Sequence, residues 1–345
     1  MLNLIIILVL LFGFYVLAMI LFNWATDYRP GDTTAVQTKN QGIPIDTVAE
    51  KSFLIWNIGF GGLGEEMDFF YDGGKSVRPK KVLVEKYLEG IHSFLEGKKN
   101  LDFILLQEVD KRSKRSYRNN EVESISNIFE NHSSAFAPNY KVKYIPIPFE
   151  KPLGGVLSGL LSLSKFQADE VTRYQFPGNF SFPKSLFFLD RCYLKMRYKL
   201  PDGKELIVIN THNSAYDDGS LKKIQMEYMR ADILNEYQEG NYVIVGGDWN
   251  QCPPNFDCYK FKKAESPYEQ RNIEEDYLPG WTWGYDSEVP TNRKLAKPYD
   301  PETTFTTVID FYLCSPNIEI TKIKTHDLDF AYSDHQPVEL HVLLK

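Results

Sequence analysis

Five apolar runs of the sequence end in side chains that can bind a metal ion or transfer a proton, and a sixth run directly follows such side chains. In chain order these side chains are Asn57, Gln107 with Glu108, Asn210 with His212, Asp248 with Asn250, Asp310, and Asp334 with His335. A carboxylate at the end of a buried strand costs free energy unless a partner neutralises it, and a divalent metal ion is the strongest such partner. The pattern therefore favours metal-dependent chemistry at one site.

The candidate metal ligands are all oxygen donors: Asn57, Glu108, Asp248, Asn250 and Asp334. Oxygen ligands suit Mg²⁺ or Mn²⁺ and not Zn²⁺. Each residue alone also has an ordinary explanation, as a strand cap, a turn after Gly-Gly or the end of a loop. The order in which all of these residues occur along the chain is what favours a common metal site.

Strands and helices alternate in the part of the chain that carries these residues. Short runs rich in β-branched and aromatic residues predict buried strands at 53–56, 103–106, 206–209, 242–245, 308–313 and 338–344. Apolar residues at helical spacing predict one helix over 83–95, before Gly97, and another over 221–234, between Ser220 and Gly240. We therefore expect one α/β domain in which the six polar endings meet at one edge of the packed sheet.

The N-terminus predicts a membrane anchor. Residues 4–22 carry no charge and are long enough to cross about 30 Å of hydrocarbon, and Trp24 and Tyr28 follow as an aromatic edge. A cleaved signal peptide is the alternative, but the apolar run is longer than usual, no basic segment precedes it and no A-x-A-like site follows it. We expect a single-pass anchor over 1–24, a linker over 25–50 and a catalytic domain over 51–345, facing away from the cytoplasm.

Composition narrows the classes of protein. The chain of 345 residues has a net charge of −7 and 43% hydrophobic residues, which excludes disordered and collagen-like proteins and small disulfide scaffolds. The acidic balance also disfavours a protein that binds nucleic acid by neutralising many phosphates. The four cysteines form no C-x-x-C pair, so a zinc ribbon is not expected. Cys252 and Cys258 could close a small loop in an oxidising compartment, or all four thiols could be free and buried.

Taken in order, these motifs resemble the endonuclease/exonuclease/phosphatase superfamily, which contains DNase I, neutral sphingomyelinases and inositol polyphosphate 5-phosphatases. The resemblance covers about residues 52–345, and its most specific parts are Gly247-Asp-Trp-Asn250 and Ser333-Asp-His335 before the last strand. It implies a DNase I-like fold: a four-layered α/β sandwich of two packed mixed β-sheets flanked by helices, here preceded by one transmembrane helix.

The resemblance also implies a metal site. Glu108 would be the principal Mg²⁺ ligand, with Mn²⁺ as an alternative ion. Asn57 would complete or support that site, and Asp334 would lie near the metal or orient its waters.

The same resemblance assigns roles in hydrolysis. Asp248 and Asn250 would position the attacking water and the phosphate oxygens. His335 and Asp310 would form a His–carboxylate pair. His212 would donate a hydrogen bond to the phosphoryl oxygen or protonate the leaving group. Which histidine acts as the general base stays open.

Other residues receive weaker or structural interpretations. Arg191 lies where the family often has an Arg that contacts phosphate, whereas a lone Arg is more often part of a surface ion pair. Tyr117 could reach the substrate, but a solvated basic loop is the better interpretation of its surroundings. The segment 265–301 is interpreted as a long functional or mobile loop, with Trp281 and Trp283 in packing roles. The histidines that match no motif are expected to be structural: His92, His132, His326 and His341.

The residues around His212 narrow the range of possible substrates. A His in this motif resembles the DNase I, sphingomyelinase and inositol-phosphatase members, but the longer basic signature of those phosphatases is absent and Asn213 departs from the common His-Leu. We therefore predict a monomeric, membrane-anchored, Mg²⁺-dependent phosphoesterase that hydrolyses a phosphodiester. The alternatives are an extracytoplasmic nuclease of the same family, which the net charge disfavours, and a catalytically inactive binding module.

Overall fold

The computed structural model describes residues 1–46, 49–215, 219–261 and 269–345. In chain order its elements are α1 (Leu2–Ala25), β1 (Thr33–Ala35), β2 (Lys51–Asn57), α2 (Lys81–Glu96), β3 (Phe103–Asp110), α3 (Glu121–Ile128), β4 (Ser133–Ile145), β5 (Gly154–Ser164), β6 (Glu170–Gln175), β7 (Cys192–Lys199), β8 (Glu205–His212), α4 (Ser220–Gln238), β9 (Tyr242–Asp248), β10 (Thr282–Gly284), β11 (Asn292–Arg293), β12 (Thr306–Thr307), β13 (Asp310–Cys314), β14 (Ile318–Thr325) and β15 (Val338–Leu344). Short 3-10 helices lie at Gly59–Gly61, Phe70–Asp72 and Lys184–Phe187.

Two mixed sheets form the centre of the fold. One has six strands in the order β14-β15-β2-β3-β5-β4, and the other has seven in the order β1-β6-β7-β8-β9-β13-β10. Each contains one parallel pair, β2 with β3 and β8 with β9, and the remaining pairs are antiparallel. Parallel neighbours need a crossover connection. The chain supplies it with α2 in the first sheet and α4 in the second.

Side-chain alternation along the strands builds the four layers. In β2, Phe53 and Ile55 face the other sheet, and Leu54 and Trp56 face the helices. Because both faces are buried, the strand is a continuous apolar run and not an alternating one. The inner core joins residues of both sheets, α2 and α3 cover the six-stranded sheet, and α4 covers the seven-stranded sheet. The expected DNase I-like sandwich is confirmed.

Two sequence predictions of secondary structure need correction. The strand predicted over 308–313 begins at Asp310, because the backbone N–H groups of Ile309 and Asp310 each donate to Oγ1 of Thr291 at 3.0 Å. The second predicted helix exists as α4, but it buries Met226, Met229 and Ile233, whereas Ile224, expected on the inner face, is exposed.

The segment expected to be a linker takes part in the fold. Within the described part of 25–50, β1 pairs with β6 at the edge of the seven-stranded sheet, and Ile45 is buried in the inner core. A strand edge offers unpaired backbone groups, and this segment satisfies some of them. Residues 47–48 of that segment lie outside the described residues.

The long loop region also contains regular structure. Of the segment 265–301, residues 265–268 lie outside the described part, and the remainder includes β10 and β11. Trp281 contacts the ring of Tyr237, and Trp283 contacts the rings of Trp249 and Phe311. Both tryptophans therefore have the packing roles expected for them.

Candidate active site

A cavity of about 610 Å³ opens at one end of the two sheets. Of the residues predicted from the sequence, seven line it: Glu108, Arg191, His212, Asp248, Asn250, Asp334 and His335. Asn57 and Asp310 lie behind this lining, where each contacts a residue of the cavity wall. All nine predicted residues therefore belong to one contiguous region.

Strand direction explains why residues so far apart in sequence meet. The parallel strands β2, β3, β8 and β9 run towards the same end of the sandwich, where they deliver Asn57, Glu108, His212 and Asp248. β13 is antiparallel to β9 and pairs Asp310 with Asp248, so Asp310 reaches this end from the start of its strand. β15 is antiparallel to β2, and the residues before it, including Asp334 and His335, arrive in the same way.

Glu108 lies at an irregularity in β3. The register with β5 shifts between Leu106 and Val109, and Glu108 has a φ of +54°. A bulge redirects side chains, and a non-glycine residue in the left-handed region is held there by its surroundings. The side chain of Glu108 keeps 26% of its exposure and lies 3.8 Å from the guanidinium of Arg115. The carboxylate is therefore turned out of the sheet and into the cavity.

Asp248 is the centre of a buried polar cluster. Its Oδ2 accepts a hydrogen bond from Nδ2 of Asn57 at 3.0 Å and lies 3.4 Å from Nε2 of His212. Its Oδ1 accepts the backbone N–H of Asn250 at 2.9 Å. Asn250 has a φ of +52°, and its Nδ2 donates to the carbonyl of Asn213. These contacts fix both Asp248 and Asn250 at the cavity wall.

His335 is oriented by a carboxylate behind it. Its Nδ1 lies 2.8 Å from Oδ2 of Asp310, and its Nε2 lies 3.8 Å from Asp248 and 3.9 Å from Asp334. Burial alone would lower the pKa of His335, but the three carboxylates outweigh it and raise the pKa to about 10. Burial raises the pKa of Asp310 to about 6 despite the imidazole. The expected His–carboxylate pair is present.

His212 has a different environment. It is buried, and its Nδ1 has no hydrogen-bond partner among the described residues. Burial, with the positive charges of Arg191 and His335, holds the pKa of His212 well below its usual range. A neutral imidazole can donate one hydrogen bond and accept another. The surroundings therefore shift the pKa values of the two histidines in opposite directions.

Gly59 explains part of the Gly-rich segment that follows β2. It has a φ of +52°, and a Cβ added there would lie 2.9 Å from Oδ1 of Asp334. Its N–H donates to Oδ1 of Asn57. Glycine is therefore needed here both for backbone conformation and for the close approach of Asp334.

Two sets of residues could hold a divalent cation. Asp248, Asp310 and His335 bring one ligand atom each within 4.8 Å of one another, and Asp310 and His335 are also hydrogen-bonded to each other. Glu108 and Asp334 are oxygen donors at the cavity wall, and burial raises the pKa of Asp334 to about 7. A buried carboxylate of this kind is stabilised by a cation. Oxygen donors of the second set are of the type that suits a hard divalent cation such as Mg²⁺ or Mn²⁺.

The polar residues of the cavity wall that the sequence analysis did not single out include Arg115, Asn292 and Lys294. Arg115 belongs to the basic loop interpreted as solvated, yet it is buried, paired with Asp110 at 3.0 Å, and lies 3.7 Å from the centre of the Phe60 ring. Nδ2 of Asn292 lies 3.1 Å from Nε2 of His335. Burial lowers the pKa of Lys294. The only sequence signal for Asn292 and Lys294 was their place in a long loop region.

Residues expected to be structural are engaged away from the cavity. The hydroxyl of Tyr117 donates to the carbonyl of Pro79, and His92 and His132 contact Ser124 and the carbonyl of Leu101. His326 and His341 both contact Glu339. Cys252 and Cys258 form a disulfide, whereas Cys192 and Cys314 are free and buried.

A buried amide pair joins the two sheets beneath the cavity. Nε2 of Gln107 donates to Oδ1 of Asn210 at 2.7 Å, and Nδ2 of Asn210 donates to the carbonyl of Leu106 and to Oγ of Ser162. The polar residues Gln107 and Asn210 of the sequence motifs therefore hold the sheets in register and do not reach the cavity lining.

Solved structures with the same fold include the following three. The endonuclease/exonuclease/phosphatase from Beutenbergia cavernae is 15% identical, with a TM-score of 0.56 over 86% of this chain and 72% of that one. TDP2 from D. rerio, solved with a single-strand DNA product, is 15% identical, with a TM-score of 0.51 over 85% of this chain and 99% of that one. The human Nocturnin catalytic domain, solved with a bound sulfate anion, is 13% identical, with a TM-score of 0.52 over 90% of this chain and 98% of that one.

Comparison with curated protein sequences finds no match. The model of the endonuclease/exonuclease/phosphatase family matches residues 54–335, which includes every residue of the cavity wall described above. With the sandwich fold and the order of its motifs, the chain belongs to the endonuclease/exonuclease/phosphatase family, whose members hydrolyse phosphoester bonds.

Proposed function

We propose that the protein is a divalent-metal-dependent phosphodiesterase that is anchored in a membrane by α1. The observation that carries this proposal is the lining of one cavity by carboxylates, imidazoles and cations together: Glu108, Asp334, His212, His335, Arg191 and Lys294. Phosphoryl transfer needs a cation on the phosphate oxygens and fixed donors where negative charge develops.

Glu108 and Asp334 are the proposed metal ligands, and Asn57 supports them by holding Asp248 in place. A bound Mg²⁺ or Mn²⁺ would neutralise charge on the phosphate oxygens. The guanidinium of Arg191, which is also part of the lining, would contact a phosphate oxygen. Asn57 stays a supporting residue in this proposal, because its Oδ1 already accepts the N–H of Gly59.

Asp248 and Asn250 position the attacking water in the proposed mechanism. Asp248 is fixed through both of its oxygens, and Asn250 through its backbone and side-chain amides. His335, held by Asp310, provides an imidazole of fixed orientation beside this position. His212 donates to the phosphoryl oxygen or to the leaving group. Fixed donors of this kind contribute because they need no reorganisation during the reaction.

A phosphodiester of moderate size suits the cavity better than a nucleic-acid duplex. The volume of about 610 Å³ lies in the range of small-molecule sites. The net charge of −7 disfavours broad phosphate binding. The sulfate anion bound by the human Nocturnin domain, a mimic of phosphate, supports an anion site on this fold.

The proposed anchor is α1, which leaves 51–345 as the catalytic domain, with β1 and Ile45 of the segment 25–50 packed onto it. The helix has 24 residues, a mean hydropathy of 3.2 and an apolar window of which 0% is buried, unlike the core helix of a soluble protein. A signal sequence passes the same test of length and composition. The Cys252–Cys258 disulfide supports a domain outside the cytoplasm, because disulfides persist in oxidising compartments. A protease added to intact cells should therefore degrade the domain. Protection of the domain until the cells are lysed would instead indicate that it faces the cytoplasm.

Metal dependence is the first test of the proposed activity. The full-length protein in detergent should hydrolyse bis(p-nitrophenyl) phosphate with Mg²⁺ or Mn²⁺, lose this activity in EDTA and regain it when the ion is restored, because the carboxylates of the cavity need a cation to act on phosphate. The monoester p-nitrophenyl phosphate should be the poorer substrate. Both rates are measured from release of p-nitrophenolate.

Parallel assays separate the alternatives. Faster cleavage of plasmid DNA than of the small diester would favour the nuclease. Preference for the monoester would contradict a phosphodiesterase. Absence of metal-dependent turnover on every substrate, with a folded protein, would favour the inactive binding module.

A further inference from the structure

The chain joins the catalytic domain beside the cavity. Seven residues, 26–32, separate α1 from β1, and they span at most roughly 28 Å when extended. In β1, Thr33 pairs with Tyr174 near the end of β6, and the carbonyl of Asp32 accepts the N–H of Gln175 at 2.8 Å. The end of α1 is therefore tied to the end of β6, from which the next loop leads to Arg191 in the cavity wall.

That loop, residues 177–188, is aromatic and almost uncharged. It contains four phenylalanines, and Lys184 is its only charged residue. Phe182 is 65% exposed. The ammonium group of Lys184 lies 3.7 Å from the ring centre of Phe180 and 4.7 Å from that of Phe188. Exposed aromatic groups around a single cation are typical of a surface that contacts lipid headgroups and acyl chains.

A second loop, residues 146–153, lies on the same side of the domain and carries the charged residues Glu150 and Lys151 beside its apolar ones. Ile147 is 44% exposed and Phe149 is 61% exposed. The ring centre of Phe149 lies 6.0 Å from that of Phe12 and 5.4 Å from that of Tyr15, both in α1. α1 also contacts the 3-10 helix Lys184–Phe187 of the first loop. Both loops therefore continue the apolar surface of α1.

The two loops, which we call the rim loops, also border the cavity. Leu153 of one loop, and Asn179, Phe180, Lys184 and Phe188 of the other, are part of its lining. A substrate that enters on this side passes between exposed aromatic side chains. Such a surface would be unfavourable in contact with water alone, and continuity with α1 identifies the bilayer as its partner.

We propose that aromatic side chains of the rim loops 146–153 and 177–188 enter the bilayer beside α1, so that the cavity receives the phosphodiester headgroup of a membrane lipid. This inference rests on the proposed function for its substrate, but not for the insertion of the rim loops. Arg191 and the metal site would hold the phosphate, while the aromatic side chains would lie among the lipid chains.

Insertion is tested without any activity measurement. In full-length protein reconstituted into nanodiscs of phosphatidylcholine, phosphatidylglycerol and sphingomyelin, Phe182→Cys carries an environment-sensitive NBD label. Its emission should shift to the blue and be quenched by lipids with nitroxide-labelled chains. Val82→Cys, at a position 63% exposed on α2, is the matched control and should show neither effect.

The substrate is tested with a second pair of variants in the same nanodiscs. Phe149→Ser with Phe182→Ser should lower hydrolysis of the nanodisc lipids about tenfold, because two exposed aromatic groups no longer enter the bilayer. Hydrolysis of soluble bis(p-nitrophenyl) phosphate should change less than about twofold. Val82→Ser should leave both rates unchanged. Lipid products are measured by mass spectrometry.

The outcomes distinguish the two proposals. A label at position 182 that stays in water, or that is instead covered by a second copy and forms 182–182 cross-links, overturns insertion. Insertion without turnover of any phosphodiester supports the rim loops and overturns the proposed activity. Insertion with turnover of the soluble diester but of no lipid overturns the lipid substrate.

Discussion

Replacing Glu108 by Gln should lower the turnover of bis(p-nitrophenyl) phosphate on the order of 10³-fold, because the amide keeps the shape of the side chain and removes the charge that a divalent cation needs. Glu108 is directed into the cavity by the bulge in β3 and is only partly exposed. Its apparent affinity for Mg²⁺ should fall together with kcat. The measurement is kcat as a function of Mg²⁺ concentration, in full-length protein.

The fold should survive this change. Arg115, the cation near Glu108, keeps its closer partner Asp110 at 3.0 Å. The thermal midpoint of Glu108→Gln should therefore stay close to that of the wild type. Glu123→Gln is the matched control, because this carboxylate is exposed on α3 and contacts Asn120. Wild-type kcat in Glu108→Gln at saturating Mg²⁺ would remove Glu108 from the metal site.

The sequence predicted the positions of the site residues well because strand direction is simple. Apolar runs that end in Asn57, Glu108, His212 and Asp248 belong to parallel strands, and parallel strands deliver their ends to one edge. β15 is antiparallel to β2, so the residues that precede β15 lie at the same edge. The pattern of single residues was enough to predict that these candidate residues meet, since they lie at strand ends.

Other features depend on tertiary contacts that no local pattern contains. Arg115 looked like part of a solvated basic loop, but Asp110 and the Phe60 ring bury it. Lys294 reaches the cavity from a region without periodicity. The buried face of α4 was misjudged because Met226 and Met229, not Ile224, meet the sheet. For Arg115 and for α4, contacts with residues distant in sequence, such as Phe60 for Arg115, decide which side chains are buried.

Asp310→Asn should lower kcat by about 10²-fold to 10⁴-fold, because it removes the carboxylate that orients the imidazole of His335. Oδ2 of Asp310 lies 2.8 Å from Nδ1 of His335, and burial already raises the pKa of Asp310 to about 6. Ionised Asp310 is thus costly to bury, and a neutral amide of the same shape should not destabilise the fold. The loss of rate is measured on bis(p-nitrophenyl) phosphate beside the thermal midpoint.

A double-mutant comparison shows whether the two residues act as one unit. His335→Asn should lose about as much as Asp310→Asn, and the double variant should lose little more than either, since each change disables the same imidazole. His326→Asn is the matched control, because His326 also contacts a carboxylate, Glu339 at 2.9 Å, but away from the cavity. The kcat of this variant should stay within about twofold of the wild-type value. Fully additive losses would mean that Asp310 acts independently of His335, and the proposed role of Asp310 in orienting the imidazole would have to be abandoned.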